Sequence, residues 1–389
     1  MKKKQKIVFI DSDINIKYIN RLLSESQSIG GVWRILKNQV TPLITHSLDT
    51  LSHATLCTKM FLKHTTCSCE LFFINIWEDD EINTNINALL VALSWCLEND
   101  VTLINLSLGT TYMEDISELF SIINKLVEKN IIIVAAASNM NQLTFPASFD
   151  HVIGVKALDS KSGKIGFIYQ ETSLDLIEIS CNVEDEVITY KNQQYFLCVS
   201  NSLAAPVISA KICNYLNEGY NSIEKITMKL KEDASHNQDD KIYENYFTQK
   251  IEIPVIAIIS NHFTEDFDMA LFIQNLLLEF SKQGYQGICL SDNKLSNISE
   301  QILNLMDFEN YTPIEKLHFY AHYCNIDYVM VEGSKEFLFG DLKTEDFDII
   351  LHHSELKHAK EITEAPSITF SKRTNLSVLF NQIYSYLSE

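Results

Sequence analysis

The chain has 389 residues, of which 46% are hydrophobic and 21% charged, and its formal net charge is −20. That length and apolar content suit a globular chain with room for two domains and exclude a disordered one. So acidic a chain repels nucleic acid and anionic membranes and would help to attract a basic peptide, and no apolar run approaches the ~20 residues of a membrane span.

The chain opens on MKKKQKIVFIDSD, a basic start whose apolar run is too short for a secretory segment. Lys6–Asp11 therefore reads as a buried strand ending in a carboxylate, and cytoplasmic placement is expected. Leu71–Trp77 is a second strand, and Thr84–Glu98 is a helix on its apolar spacing. Val101–Leu108 is a third strand, Ile116–Val127 an amphipathic helix, Ile131–Ala137 a fourth strand and His151–Ala157 a fifth. Continuous apolar strands alternating with helices predict an α/β fold with a parallel sheet covered on both faces. In such sheets the site lies beyond the carboxyl ends of the strands. That places Asp11, the segment Ser107-Leu108-Gly109 and Ser138-Asn139 at the expected rim.

From Ala204 to Cys213 the apolar positions recur at helical spacing, which predicts a buried helix with Pro206 in its first turn. Ser202 at its mouth suits a nucleophile facing the positive end of the helix dipole, or an ordinary N-cap. Nine cysteines are scattered along the chain, several inside apolar runs (Cys96, Cys198, Cys213, Cys289), and buried reduced thiols are expected. Cys67 and Cys69 are too tightly spaced for a zinc site, and no aspartate cluster has calcium-ligand spacing, so no metal or cofactor is expected.

Six stretches in order carry a family resemblance. They are the strand ending Asp11-Ser12-Asp13, His53-Ala54-Thr55-Leu56, Ile104–Gly109 (INLSLG), Val134–Asn139 (VAAASN), Phe145–Val155 (FPASFDHVIGV) and Ser200–Pro206 (SNSLAAP). Together they resemble the subtilisin-like serine proteases. The resemblance implies a triad of Asp11, His53 and Ser202, with Asn139 and the Ser202 N–H as oxyanion donors. It also implies substrate binding along Ser107, Leu108, Gly109, Ala136, Ala137 and Ser138, by addition of an extended peptide as a strand. Four glycines of the family pattern are replaced, by Asp13, Ala54, Ser138 and Ser200, and Asn201 stands for threonine. Singly, Asp11 also reads as a strand end, His53 as a surface histidine, Asn139 as a turn residue and Ser202 as a cap.

The resemblance spans residues 1–233. An acidic stretch over 234–252 reads as a linker, and 253–389 as a smaller α/β domain. Its strands are expected at Ile251–Ser260, Gly287–Leu290, Tyr328–Val331 and Asp348–Leu351, and a helix at Met269–Phe280. The opening strand-loop-helix resembles a P-loop scaffold of accessory domains in bacterial peptide-maturation systems. Its loop, Asn261–Asp268, has no glycine and several acids, so it is unsuited to cradling phosphate and no nucleotide is expected. The expectation is a cytoplasmic subtilisin-like endopeptidase, without a pro-segment, that cuts a specific peptide or protein, such as the leader of a ribosomally made peptide product. Its partners would be a precursor peptide and maturation enzymes. The alternative is a pseudoprotease that binds peptides as a maturation-complex subunit without cutting them.

Overall fold

The computed structural model describes residues 4–43, 48–77, 85–158, 166–170, 173–235, 244–260, 267–292, 301–305, 310–340, 342, 346–354 and 365–388. The chain divides into two compact units, residues 1–111 with 118–238, and residues 112–117 with 239–389.

The first unit runs β1 (Gln5–Asp11), α1 (Ile16–Ile19), β2 (Ser28–Leu36), β3 (Gln39–Pro42), α2 (His53–His64), β4 (Cys69–Asn75), α3 (Ile86–Glu98) and β5 (Leu103–Leu106). It continues with α4 (Ile116–Glu128), β6 (Ile132–Ala136), β7 (Ile153–Ala157), β8 (Phe167–Tyr169), β9 (Ile179–Cys181), β10 (Glu186–Tyr190), β11 (Gln193–Leu197), α5 (Asn201–Glu218) and α6 (Ile223–Asp233). Nine strands form one sheet in the order β3-β2-β4-β1-β5-β6-β7-β9-β8. All neighbours are parallel except the edge pairs β2–β3 and β8–β9, so the antiparallel edges depart from the expected parallel sheet.

Burial explains why the central strands form. Ile7 and Phe9 join the core beneath α2 and α5, while Val8 and Ile10 point the other way and are equally inaccessible. A strand buried on both faces needs no polar alternation, which is why Ile132–Ala136 is apolar throughout. The registers Ile10↔Leu106 and Leu106↔Ala135 bring Asp11, Ser107 and Ala136 level at one rim. The strand expected over Val101–Leu108 therefore ends at Leu106, and Ser107 begins the loop. Asn105 is fully buried within β5; its amide donates to Ser107 Oγ at 3.0 Å and accepts from Ser209 of α5 at 2.8 Å. That pair of bonds satisfies a polar side chain in the core and fixes α5 across the sheet.

The second unit contains α7 (Glu244–Phe247), β12 (Val255–Ile259), α8 (Met269–Lys282), β13 (Gly287–Ser291), β14 (Ile302–Asn304) and α9 (Pro313–Tyr323). β15 (Tyr328–Gly333), α10 (Lys335–Gly340), β16 (Ile349–His353), β17 (Ser367–Phe370) and α11 (Leu376–Leu387) complete it. Its six strands are all parallel, ordered β14-β13-β15-β12-β16-β17. Helix α7 stands in the stretch read as a linker, of which 236–243 lie outside the described residues, as do 261–266 of the loop after β12. The first turn of α8 is capped by its own acid, since Asp268 Oδ1 accepts from the Leu271 N–H at 3.0 Å. A carboxylate seated there opposes an anion.

Candidate active site

β1 ends in Asp11, whose side chain is almost wholly buried, 1% exposed, and α2 begins at His53. Ser52 caps that helix: its hydroxyl accepts from Thr55 N and donates to the Asp13 carbonyl. The Ala54 N–H donates to Ser12 Oγ at 3.0 Å, so the end of β1 and the start of α2 are sewn together. Across this seam His53 Nδ1 lies 2.8 and 2.9 Å from the two Asp11 oxygens. Asp11 also accepts from the Ser12 N–H. A buried carboxylate on Nδ1 fixes the tautomer and leaves Nε2 to face the reacting group. The imidazole itself is 35% accessible and stacks beside Trp77 with ring centroids 6.4 Å apart.

Ser202 is the second residue of α5, not its cap; Ser200 holds the cap position. Pro206 is the sixth residue, so it sits inside the helix rather than in the first turn. A proline there removes the N–H that would have bonded to the carbonyl four residues earlier, that of Ser202. Cys57, one turn beyond His53 on α2, supplies the missing donor: its thiol bonds to the Ser202 carbonyl at 3.4 Å. The same sulfur lies 3.8 Å from both ring nitrogens of His53. Cys57 thus sits between the imidazole and the first turn of α5.

A thiolate at Cys57, and after it the Asp11 carboxylate, would push His53 up to about 12 against the opposing effect of burial. A sulfur that donates to a carbonyl keeps its proton, however. Asp11 is then the cause that stands, and the direction remains upward. The Ser202 hydroxyl, which is 8% exposed, makes its hydrogen bond to Ser200 Oγ at 3.2 Å. Asp11 and His53 are therefore joined, and Ser202 stands beside them with its hydroxyl turned to a neighbouring serine.

Asn139 is exposed just past β6, and its Oδ1 accepts from the Asn201 N–H at 2.8 Å. That bond orients the amide so that its NH2 end is the one left to face an oxyanion. Asn201 does more than its place in the sequence suggested. Its Oδ1 accepts from Ala157 N at 2.8 Å and its Nδ2 donates to the Ser138 carbonyl at 2.7 Å. One side chain thus ties the start of α5 to β7 and to the segment after β6.

Residues 48–231 match the sequence profile described as the Subtilase family. The chain is 30% identical over 135 residues to the minor extracellular protease Epr of Bacillus subtilis, covering 34% of this chain and 20% of Epr. Subtilisin BL of Lederbergia lenta is 23% identical over 180 residues, 45% of this chain and 64% of that one. Over residues 48–231 the chain resembles the subtilase family. The chain spans less than two thirds of the length of these curated relatives. Among solved structures it is similar to the nisin leader peptidase NisP from Lactococcus lactis, at 14% identity over 61% of this chain and 84% of that one, with a TM-score of 0.47. It is also similar to the prenylagaramide maturation protease PagA, at 17% identity over 60% and 84%, with a TM-score of 0.44.

The first unit carries its glycine replacements without backbone strain. Asp13, Ala54, Ser138 and Ser200 all lie outside the positive-φ residues, and Ser200 is extended at φ −155°. Asp13 turns its carboxylate to the Ile14 N–H at 2.8 Å and is not among the groups that move His53. Ser138 is held by Thr144, whose Oγ1 accepts its N–H at 2.8 Å. Gly109 is a glycine the fold does require, because a Cβ there would meet the Phe145 carbonyl oxygen at 2.6 Å. In the first unit Ser107, Ala136 and Ala137 are buried, Leu108 and Ser138 half-buried and Gly109 exposed, so the rim offers mostly backbone. Asp11, His53 and Cys57 also form a three-donor group, their ligand atoms all within 4.8 Å of one another. Residue types N, O and S at that spacing suit a metal such as zinc, which would displace the proton the imidazole carries.

Cys57, Asn201, Ser200 and Trp77 were not singled out for these contacts by sequence. Cys57 had a signal, since position i+4 on a helix shares a face with His53. The other three contacts come from distant segments and had none.

Proposed function

We propose that the chain is a serine endopeptidase in which Ser202 attacks the peptide carbonyl. His53 takes its proton, Asp11 steadies the imidazolium, and Asn139 with the Ser202 N–H receives the oxyanion. The observation that carries this reading is the doubly bonded Asp11–His53 pair beside the first turn of α5. Ser107, Leu108, Gly109, Ala136, Ala137 and Ser138 would hold an extended peptide through its main chain. The substrate is then a peptide or protein segment; the finer expectation is the leader of a ribosomally made peptide, and a short precursor encoded beside this chain is the one to test. Nine free thiols among the described residues, eight of them buried and Cys198 exposed, fit a reducing cytoplasm. No described helix is long and apolar enough to cross a membrane. The second unit would brace the protease or dock a partner, with Asp268 at the start of α8 arguing against a bound nucleotide.

A fluorophosphonate probe should label the purified chain at Ser202, and Ser202→Ala should not react. An unlabelled wild type, where a control subtilase reacts, would sink the reading. The Ser200–Ser202 hydroxyl pair favours a second reading, a peptide binder that does not cut. Equal peptide binding by wild type and Ser202→Ala, with no turnover by either, would establish it.

A further inference from the structure

Unit one holds a cavity of about 310 Å³ away from His53, between the second half of α2 and the middle of α5. Its floor is apolar, formed by Met60, Phe167, Val207 and Ile208. Its polar lining holds two lysines, Lys63 from α2 and Lys211 from α5, together with Glu184, His64, Asn182 and Asn214.

Neither lysine is held in a short ion pair there. Lys63 meets Glu186 at 3.7 Å and Glu184 at 4.0 Å, and Lys211 meets Asp233 at 3.8 Å. In the same unit Lys59–Glu186 and Lys156–Asp175 close to 2.5 Å. Glu184, which also lines the cavity, keeps 79% of its side chain in solvent and can turn away. The Lys211 ammonium lies 5.0 Å over the Phe167 ring, so it is held at the boundary between floor and mouth. Burial, and after it Lys63, push the neighbouring His64 down, while Glu184 opposes them.

The two helices are braced where the cavity ends. Asn214 of α5 accepts from Thr66 N at 2.9 Å and donates to the His64 carbonyl at 3.2 Å. An occupant would therefore rest against a preformed wall and touch both helices whose first turns carry His53 and Ser202.

We propose that this cavity binds a small monocarboxylic acid with a branched apolar body, the body on Met60, Phe167, Val207 and Ile208 and the carboxylate between Lys63 and Lys211. The volume sits at the lower end of the range for ligand pockets, about 300–1,000 Å³, which suits a small ligand. A carboxylate bonded to two ammonium groups supplies orientation, and the apolar floor supplies most of the affinity.

The test is calorimetric titration of the full chain with isocaproate and, separately, with isocaproamide, which has the same body and no charge. The acid should bind about tenfold more tightly than the amide. The double variant Lys63→Gln, Lys211→Gln should bring the acid down to the amide's affinity, and Val207→Trp, which fills the floor, should abolish both. Equal affinity for acid and amide in the wild type, equal binding of inorganic phosphate, or no heat from any of them would overturn the proposal. The wild-type comparison needs no variant to fold. The whole titration can be repeated on Ser202→Ala, so its outcome is separate from that of the protease reading.

Discussion

Both sheets deliver a buried carboxylate to the carboxyl end of a central parallel strand, and the two carboxylates are used differently. Asp11 is 1% exposed and hands its charge to an imidazole that is itself 35% accessible. Glu332, at the end of β15, is fully buried and accepts from the Ser291 hydroxyl at 2.5 Å, a group just as inaccessible. Parallel strands bring polar groups to this edge as a matter of topology. What makes chemistry there is a second residue that carries the charge outward to where a substrate can lie. In the first unit α2 starts at that edge and provides such a residue; among the described residues of the second, Glu332 ends on a serine of the neighbouring strand.

Asp11→Asn should test this contrast hardest. It keeps the shape but leaves the imidazole in the wrong tautomer, and peptide hydrolysis should fall by about 10⁴-fold with the near-ultraviolet circular dichroism retained. Asn139→Ala comes next, with an expected loss of about 10²–10³ in kcat and little change in KM; a loss confined to KM would move Asn139 out of the oxyanion role.

The third test is pH. Because Asp11 raises the imidazole, the unprotonated base is scarce at neutral pH, and hydrolysis should climb by about tenfold per pH unit on the acid side. Cys57→Val removes the sulfur beside the ring and should leave that limb in place if the sulfur is a thiol. A limb moved to lower pH would show that it carries charge. The same upward shift has a stability consequence. A histidine raised on folding from its ordinary 6.5 contributes fully below that pH, and the contribution fades as pH rises through the raised value. His53→Gln should therefore flatten the alkaline slope of unfolding free energy measured by urea titration.

Smaller effects sharpen the comparison. Ser200→Gly removes the hydroxyl that engages Ser202, worth about 0.5–1.5 kcal/mol, so fluorophosphonate labelling should quicken by up to about tenfold. Glu332→Gln should leave hydrolysis within about twofold of wild type, since the side chain lies in the core of the second unit. A large loss in that variant would mean the two edges are not independent.

How much of this was readable in advance follows from burial. Strands such as Ile132–Ala136 and Val255–Ile259 announce themselves because sheet neighbours and covering helices leave no place for a polar residue. The strands β2, β3, β10, β11 and β17 were passed over because half-exposed residues such as those of Ser28–Leu36 show no clean period, and the three-residue strands β8, β9 and β14 because so short a run shows none at all. Helix α9 was not expected, although Thr312-Pro313 with Glu315 carries the pattern of a helix start and both bonds of a capping box form there. In the site, Asp11, Asn139 and Ser107 were fixed by strand ends. Pro206 was placed one turn too early, because the helix reaches back to Asn201 and a sequence does not mark where an N-terminus begins when its cap makes no side-chain bond.

The hydrogen that Cys57 lends to the Ser202 carbonyl has a consequence for handling and for physiology. Alkylation or oxidation of that sulfur would consume the hydrogen and add bulk beside a fully buried side chain, leaving a buried acceptor unsatisfied in the first turn of α5, which carries Ser202. Full inaccessibility guards the thiol in the folded chain. Each breath of α2 away from α5 exposes it, so inactivation by a thiol reagent would report how often those helices part.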